Sequence, residues 1–347
     1  MPYFHAVAPS TASQDSPTGG RVGVLLVNLG TPDSPDYFAV QRYLREFLSD
    51  RRVIDTPRLI WLPLLYGVVL PFRPFRTARN YRKIWLQEGS PLAVYSQRLA
   101  EKIRSRLHAA FKDQVRVELA MSYGNPNIAR VIQSFAQQGI TKLLVLPLYP
   151  QYCSSTTGAV VDGANAALRR WRALPETRMI NDYHDDAGYI QALTRKIQEH
   201  WQAAGTRSHL LFSYHGIPAS YVAKGDPYQR QTEITTRLVV NSLGLNETEW
   251  SHCYQSRFGK VEWLQPYTLD KIKELAGRGV RELTVASPSF AVDCLETLEE
   301  VAIEYRDRFL GWGGEGLSLV AGLNDDDDHA DALTELIKGR LGGWTKP

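Results

Sequence analysis

Val24-Leu25-Leu26-Val27-Asn28-Leu29-Gly30-Thr31-Pro32 and, far along the chain, Leu210-Leu211-Phe212-Ser213-Tyr214-His215-Gly216-Ile217-Pro218 follow one plan, a short apolar run that stops at Gly-x-Pro. A run apolar at nearly every position reads as a strand buried on both faces, the habit of parallel sheets, and the Gly and Pro beyond it end the strand in a turn. A second pair repeats the pattern: Gly139-Ile140-Thr141-Lys142-Leu143-Leu144-Val145-Leu146-Pro147 resembles Gly279-Val280-Arg281-Glu282-Leu283-Thr284-Val285-Ala286-Ser287. Pairs that recur in the same order predict two halves of one design, joined near 177–186.

The rest of the chain agrees with that reading. Strands are expected at 22–28, 116–122, 142–148, 209–213 and 282–286, with amphipathic helices at 98–111, 128–138, 188–203, 228–243 and 269–278. The 347 residues exceed the usual size of one domain. The expected organisation is a disordered tail over 1–20, a first α/β lobe over 21–180 and a second over 181–347 that ends in a helix. Within the first lobe, 59–76 reads as an apolar lip, Leu59 to Leu70 being apolar on nearly every side, followed by Arg73 and Arg76. Such a stretch lines an apolar pocket, touches a membrane surface or lies buried as a core helix.

Composition excludes several function classes. Forty Lys+Arg against 37 Asp+Glu give a formal charge of +3, too even for a nucleic-acid partner held by a basic surface. Cys153, Cys253 and Cys294 form no CxxC pair, so neither a zinc knot nor a disulfide framework is readable, and the usage suits a reducing cytosol. The first twenty residues lack the charged and apolar regions of a secretion signal, and no apolar run approaches the roughly eighteen residues that span a membrane. A soluble, cytoplasmic protein is the expectation.

In open α/β sheets ligands gather beyond the carboxyl ends of the strands, and that is where the unusual residues fall. His215 ends a strand just before Gly216 and Pro218, and a neutral imidazole is both a base and a metal ligand. Glu296, Glu300 and Glu304 recur every four residues, one stripe of a helix, where like charges cost a little stability and suggest oxygen donors for a cation or a proton relay, or for Glu300 and Glu304 simply a solvated helix face. Tyr123, Tyr149, Tyr152, Tyr214 and Trp263 sit at strand ends or in loops, suited to stacking on a flat apolar ligand. The hydroxyl-rich turn from Tyr152 to Gly158 could anchor a ligand carboxylate or simply cap a helix. The run 311–316 matches G-x-G-x-x-G in form but precedes a strand, so no dinucleotide site is assigned. The acidic run 325–328 reads as a solvated cap on the last helix.

Together, Leu25-Leu26-Val27-Asn28-Leu29-Gly30-Thr31-Pro32, Leu148-Tyr149-Pro150-Gln151-Tyr152, Ser213-Tyr214-His215-Gly216-Ile217-Pro218, Tyr254-Gln255-Ser256-Arg257-Phe258-Gly259 and Asp293-Cys294-Leu295-Glu296-Thr297-Leu298 resemble the ferrochelatase family, in order and with its spacing. The resemblance implies two Rossmann-like lobes around a porphyrin cleft and insertion of ferrous iron into protoporphyrin IX to give protohaem, with release of two protons. His215 and Glu296 match the family's catalytic pair and are the expected metal and proton handlers, with Glu300 and Glu304 as a relay. Leu29 and Trp263 match positions that contact the macrocycle, and Tyr123 and Ser155 match pocket loops. The apolar lip matches a mobile segment that in some members meets the membrane.

Departures from the family carry expectations of their own. Cys294 stands where some members have a His two residues before the glutamate. Members with a [2Fe–2S] cluster use a loop Cys where this chain has Ser154, and three more near the C-terminus, where it has none after Cys294. No cluster and no other cofactor is therefore expected, iron being a substrate, and the chain is expected to be a monomer. Other readings are a chelatase for coproporphyrin or for cobalt, and a carrier of porphyrin or metal.

Overall fold

The computed structural model describes residues 21–259 and 261–345, so the tail expected over 1–20 lies outside the described residues. The first half runs β1 (Arg21–Gly30), α1 (Tyr37–Leu48), α2 (Arg58–Leu64), α3 (Leu70–Ile84), α4 (Pro91–Phe111), β2 (Val115–Tyr123), α5 (Ile128–Gln137), β3 (Ile140–Pro147), α6 (Ala159–Leu168) and β4 (Glu176–Met179). The second half runs α7 (Ala187–Ala204), β5 (His209–His215), α8 (Ala219–Ala223), α9 (Tyr228–Leu243), β6 (Trp250–Gln255), α10 (Thr268–Gly277), β7 (Glu282–Ala286), α11 (Arg306–Gly311), β8 (Gly316–Leu319) and α12 (Asp327–Arg340).

The two repeated pairs of apolar runs are the central strands of two four-stranded parallel sheets, ordered β2-β1-β3-β4 and β6-β5-β7-β8. They also pair in the same register. Val24 lies opposite Leu144, and their counterparts in the repeat, Leu210 and Thr284, lie opposite each other. Alternation along β1 splits its side chains between two layers: Val22, Val24 and Leu26 face α4, while Leu25 and Val27 join the core under α5 and α6. The α4 layer is continuous with Leu210, Phe212 and Tyr214 of β5 and with α7 and α12, so the inner faces of both sheets share one core. That shared layer aims the carboxyl ends of both sets of strands at a common cleft.

One expectation changes, and one of the alternatives for the lip falls away. The acidic run is an interlock: Asp326 makes no side-chain cap, and its carboxylate instead meets Lys196 at 2.5 Å. Asp327 pairs with Lys102 at 3.2 Å and Arg106 at 3.0 Å, and Asp328 with Arg195 at 2.7 Å, which fastens α12 to both α4 and α7. The lip is no buried helix. Through α2, a π-helical turn (Leu65–Val69) and α3, it buries Trp61, Leu65 and Leu70 but leaves Leu59 92% and Phe72 69% exposed. Among the described residues no helix is long and apolar enough to cross a membrane.

Candidate active site

His215 stands where β5 gives out. The next residue has room only for glycine, since a Cβ on Gly216 would lie 2.9 Å from the Gln255 carbonyl oxygen and 3.2 Å from the Trp263 ring. The half-buried imidazole sits between Trp263, 6.4 Å away between ring centroids, and Phe290, edge-on at 6.2 Å. Its Nδ1 is 2.6 Å from the Gly216 carbonyl oxygen. A carbonyl can only accept, so Nδ1 carries a proton, and whenever the ring is neutral it is Nε2 that has the lone pair. The His215 backbone N–H donates to Ser289 Oγ at 3.2 Å, which holds β5 to the loop after β7.

The glutamates lie on a π-helix (Glu296–Tyr305), not on the α-helix that their four-residue spacing suggested. The i→i+5 bonding widens each turn but still leaves positions four apart on one side. Glu300 accepts from Ser256 Oγ at 2.7 Å and from the Tyr305 hydroxyl. Burial raises its carboxyl pKa above the ordinary range; the charge on Glu296 pushes the same way, while His215 and the two hydroxyl donors pull it down. Glu296 lines a recess of about 250 Å³ with Leu29, Tyr43, Tyr81, Ile84 and Cys294. Burial, with Glu296's negative charge adding to it, pushes the hydroxyls of Tyr43 and Tyr81 above the usual phenol range and the Cys294 thiol well above its own. Gln255 Nε2 donates to the Glu296 carbonyl at 3.1 Å and its Oε1 accepts from Ser213 Oγ at 2.7 Å, so β5 and β6 hold the start of the π-helix. Glu304 is half-buried, its carboxylate 4.0 Å from Arg308.

The structure thus gathers His215, Trp263 and Phe290 at one place and Glu296 and Leu29 at another, with Glu300 electrostatically linked to both His215 and Glu296. Other residues singled out in the sequence have different partners. Tyr214 is fully buried, its hydroxyl 2.9 Å from Thr236 Oγ1 and its ring stacked on His252, so it belongs to the core and not to an aromatic rim. Tyr123 is 6% exposed and donates to Asp50 at 2.9 Å, supporting the wall from behind. Ser155 lies on a second π-helical turn (Ser154–Gly158), 3.1 Å from Cys153 Sγ. In that turn the Ser154 N–H is already taken by the chain's own Asp226 carboxylate, at 2.7 Å. Sequence reasoning gave no role to Ser256, Tyr305, Tyr43 or Tyr81; Ser256 stood inside a quoted motif, but nothing along the chain pointed to its partner Glu300.

Among the described residues, the one group of three His, Cys, Asp or Glu ligand atoms lying within 4.8 Å of one another is Asp182, His184 and Asp185, on the way into α7. His215, Glu296 and Glu300 form no such preassembled cage. Their chemistry is that of a borderline nitrogen donor and hard oxygen donors set apart around a cleft, which can pass a divalent cation and protons without trapping them.

Residues 21–341 match the family model described as Ferrochelatase. A ferrochelatase of Marinobacter nauticus is 46% identical, over 94% of this chain and 88% of its own length. One of Vibrio parahaemolyticus is 45% identical, over 93% and 99% respectively. Among solved structures, SirB from Bacillus subtilis with Fe³⁺ superposes with a TM-score of 0.56 at 10% identity, covering 94% of this chain and 99% of that one, a likeness of fold alone.

Proposed function

The chain belongs to the ferrochelatase family, and on that premise we propose that His215 and Glu296 are the pair through which it inserts ferrous iron into protoporphyrin IX, releasing two protons and forming protohaem. The observation that carries the assignment is the hydrogen bond from His215 Nδ1–H to the Gly216 carbonyl, which leaves Nε2 as the basic nitrogen of the neutral ring. That atom can take a pyrrole proton. Glu296, coupled through space to Glu300, offers carboxylate oxygens to the incoming cation and a second proton acceptor. A flat ring hides its nitrogen lone pairs. Walls formed by Leu29, Tyr81, Ile84 and Trp263 would supply the binding energy that bends it.

Two further readings belong here. The three cysteines lie buried on separate elements, with Cys153 and Cys253 pushed up to about 12 by burial, and thiols held protonated are poor cluster ligands. This supports an enzyme without a [2Fe–2S] cluster. The exposed Leu59, Ile60, Phe72 and Phe75, beside exposed Arg76 and Arg79, support peripheral contact with an anionic lipid surface, from which a porphyrin could enter.

The test is anaerobic haem formation from protoporphyrin IX and Fe²⁺, followed by absorbance, for wild type, His215→Ala and Glu296→Ala. Both variants should bind porphyrin and fail to metallate it. A wild type that binds without metallating would make the chain a carrier, and one that metallates only coproporphyrin would move the substrate assignment.

A further inference from the structure

Glu299 is an acid on the π-helix that the proposed chemistry leaves idle, and it is more deeply buried than its neighbours. It is 7% exposed, whereas Glu296, Glu300 and Glu304 are half-buried. Its carboxylate lies 2.6 Å from Lys83 Nζ, in the last turn of α3. α3 comes from the first half of the chain and the π-helix from the second, so this ion pair joins the lip to the helix that carries Glu296. Burying a carboxylate to pair it gives little net stability over an apolar contact, so what such a pair adds is geometric register.

α3 has a second contact with the second half. Ten residues before Lys83, about 15 Å along the helix, Arg73 lies over the Phe258 ring at 5.3 Å. That contact is open to solvent, with Phe258 53% exposed. The Lys83 end is therefore the anchored one, and beside it on the same helix Tyr81 and Ile84 line the recess that holds Glu296.

We propose that Lys83 and Glu299 are a positioning pair for iron insertion, the fixed point that keeps the Tyr81 and Ile84 wall in register with Glu296 and Glu300 while the exposed end of the lip yields to the ring. The inference rests on the catalytic assignment of Glu296. Lys83→Met, Glu299→Gln, Lys83→Arg and the exchanged pair K83E/E299K test it, through steady-state iron insertion, protoporphyrin binding by fluorescence quenching and thermal melting, with Glu296→Ala as control. Lys83→Met and Glu299→Gln should lose on the order of tenfold or more in kcat, the cost of a small misplacement, while porphyrin affinity holds; the melting temperature should hold in Glu299→Gln and fall in Lys83→Met, which leaves the Glu299 carboxylate buried without its cation. Lys83→Arg and the exchanged pair should restore most of that loss. Wild-type kcat in Lys83→Met and Glu299→Gln, or a loss that follows the melting temperature and is not rescued by Lys83→Arg, overturns the pair's role. A fully active Glu296→Ala would overturn the catalytic assignment instead, whatever the Lys83 variants do.

Discussion

Two histidines away from the cleft limit the pH range in which its chemistry can be read. His252 on β6 and His329 on α12 are held neutral by burial, which lowers each pKa from 6.5 to about 4. His252 Nδ1 meets Thr236 Oγ1 at 2.9 Å and His329 Nδ1 donates to the Asn324 carbonyl at 2.7 Å, while both Nε2 atoms are buried without a hydrogen-bond partner. Because the folded pKa is depressed, the unfolded chain takes up the proton first. The stability these residues contribute is whole above pH 6.5 and is lost as pH falls towards 4. By pH 5 the loss is about 2 kcal/mol for each, or about 4 kcal/mol together, a large part of the roughly 5–15 kcal/mol by which native proteins are stable. Urea unfolding at pH 8, 6 and 5 measures it. His329→Asn, which keeps a donor and cannot titrate, should flatten the dependence by about half. A wild-type free energy that is flat from pH 8 to 5, or a slope unchanged in His329→Asn, refutes the reasoning. If it holds, the rate profile below about pH 5 reports unfolding, and only the part above reports the cleft.

Three more outcomes follow from the geometry. Gly216→Ala places a methyl 2.9 Å from the Gln255 carbonyl oxygen, and overpacking of that kind destabilises by about 1–3 kcal/mol; displacement of His215 should lower kcat on the order of a hundredfold, so normal melting and turnover would refute the close approach. Tyr305→Phe removes a donor to the Glu300 carboxylate, which raises its pKa further, and the acid limb of kcat should move to higher pH. An unmoved limb removes Glu300's charge state from turnover. Leu59→Ser and Phe72→Ser each delete a side chain that is 92% and 69% exposed respectively; each should weaken flotation with anionic vesicles on the order of tenfold, from about 1–2 kcal/mol of lost apolar burial, and flotation equal to wild type would end the membrane reading.

What the sequence hid has physical causes. The central strands were legible because burial on both faces leaves an unbroken apolar run, as in Val24 to Val27 and Leu210 to Phe212. β4 escaped because it is a four-residue edge strand and largely open to solvent. β6, Trp-Ser-His-Cys-Tyr-Gln, escaped because half of it is polar. Those polar groups have partners supplied by the fold, Thr236 for His252 and Ser213 and the Glu296 carbonyl for Gln255. Four-residue spacing of glutamates reads alike on an α- and a π-helix, so the wider turn left no mark. The placement of Tyr214 was available: successive strand residues face opposite sides, so if His215 faces the cleft its neighbour faces the core. The interlock at 325–328 was not, since Lys102, Arg106, Arg195 and Lys196 lie far away in the chain.

The repeat also relates the residues proposed for chemistry to those proposed as a wall. Leu29 and His215 hold the same place in the shared plan, the residue before the glycine that ends each central strand. Counting along the other repeated pair from Gly139 and Gly279 sets Ser155 and Thr156 opposite Leu295 and Glu296. A π-helical stretch begins within two residues of each of those places, Ser154–Gly158 after β3 and Glu296–Tyr305 after β7. A π-turn is uncommon, and finding it at equivalent points makes it part of the common frame. In the first half its hydroxyls and amides are held by Cys153, Arg52 and Asp226. In the second the π-helix carries Glu296 and Glu300, and Glu300 interacts electrostatically with the imidazole that stands where the first half has a leucine. Differences at matching positions of one frame thus put a leucine in one half where the other has an imidazole, and hydroxyls on one π-turn where the other carries carboxylates, an asymmetry that the proposed insertion chemistry would use.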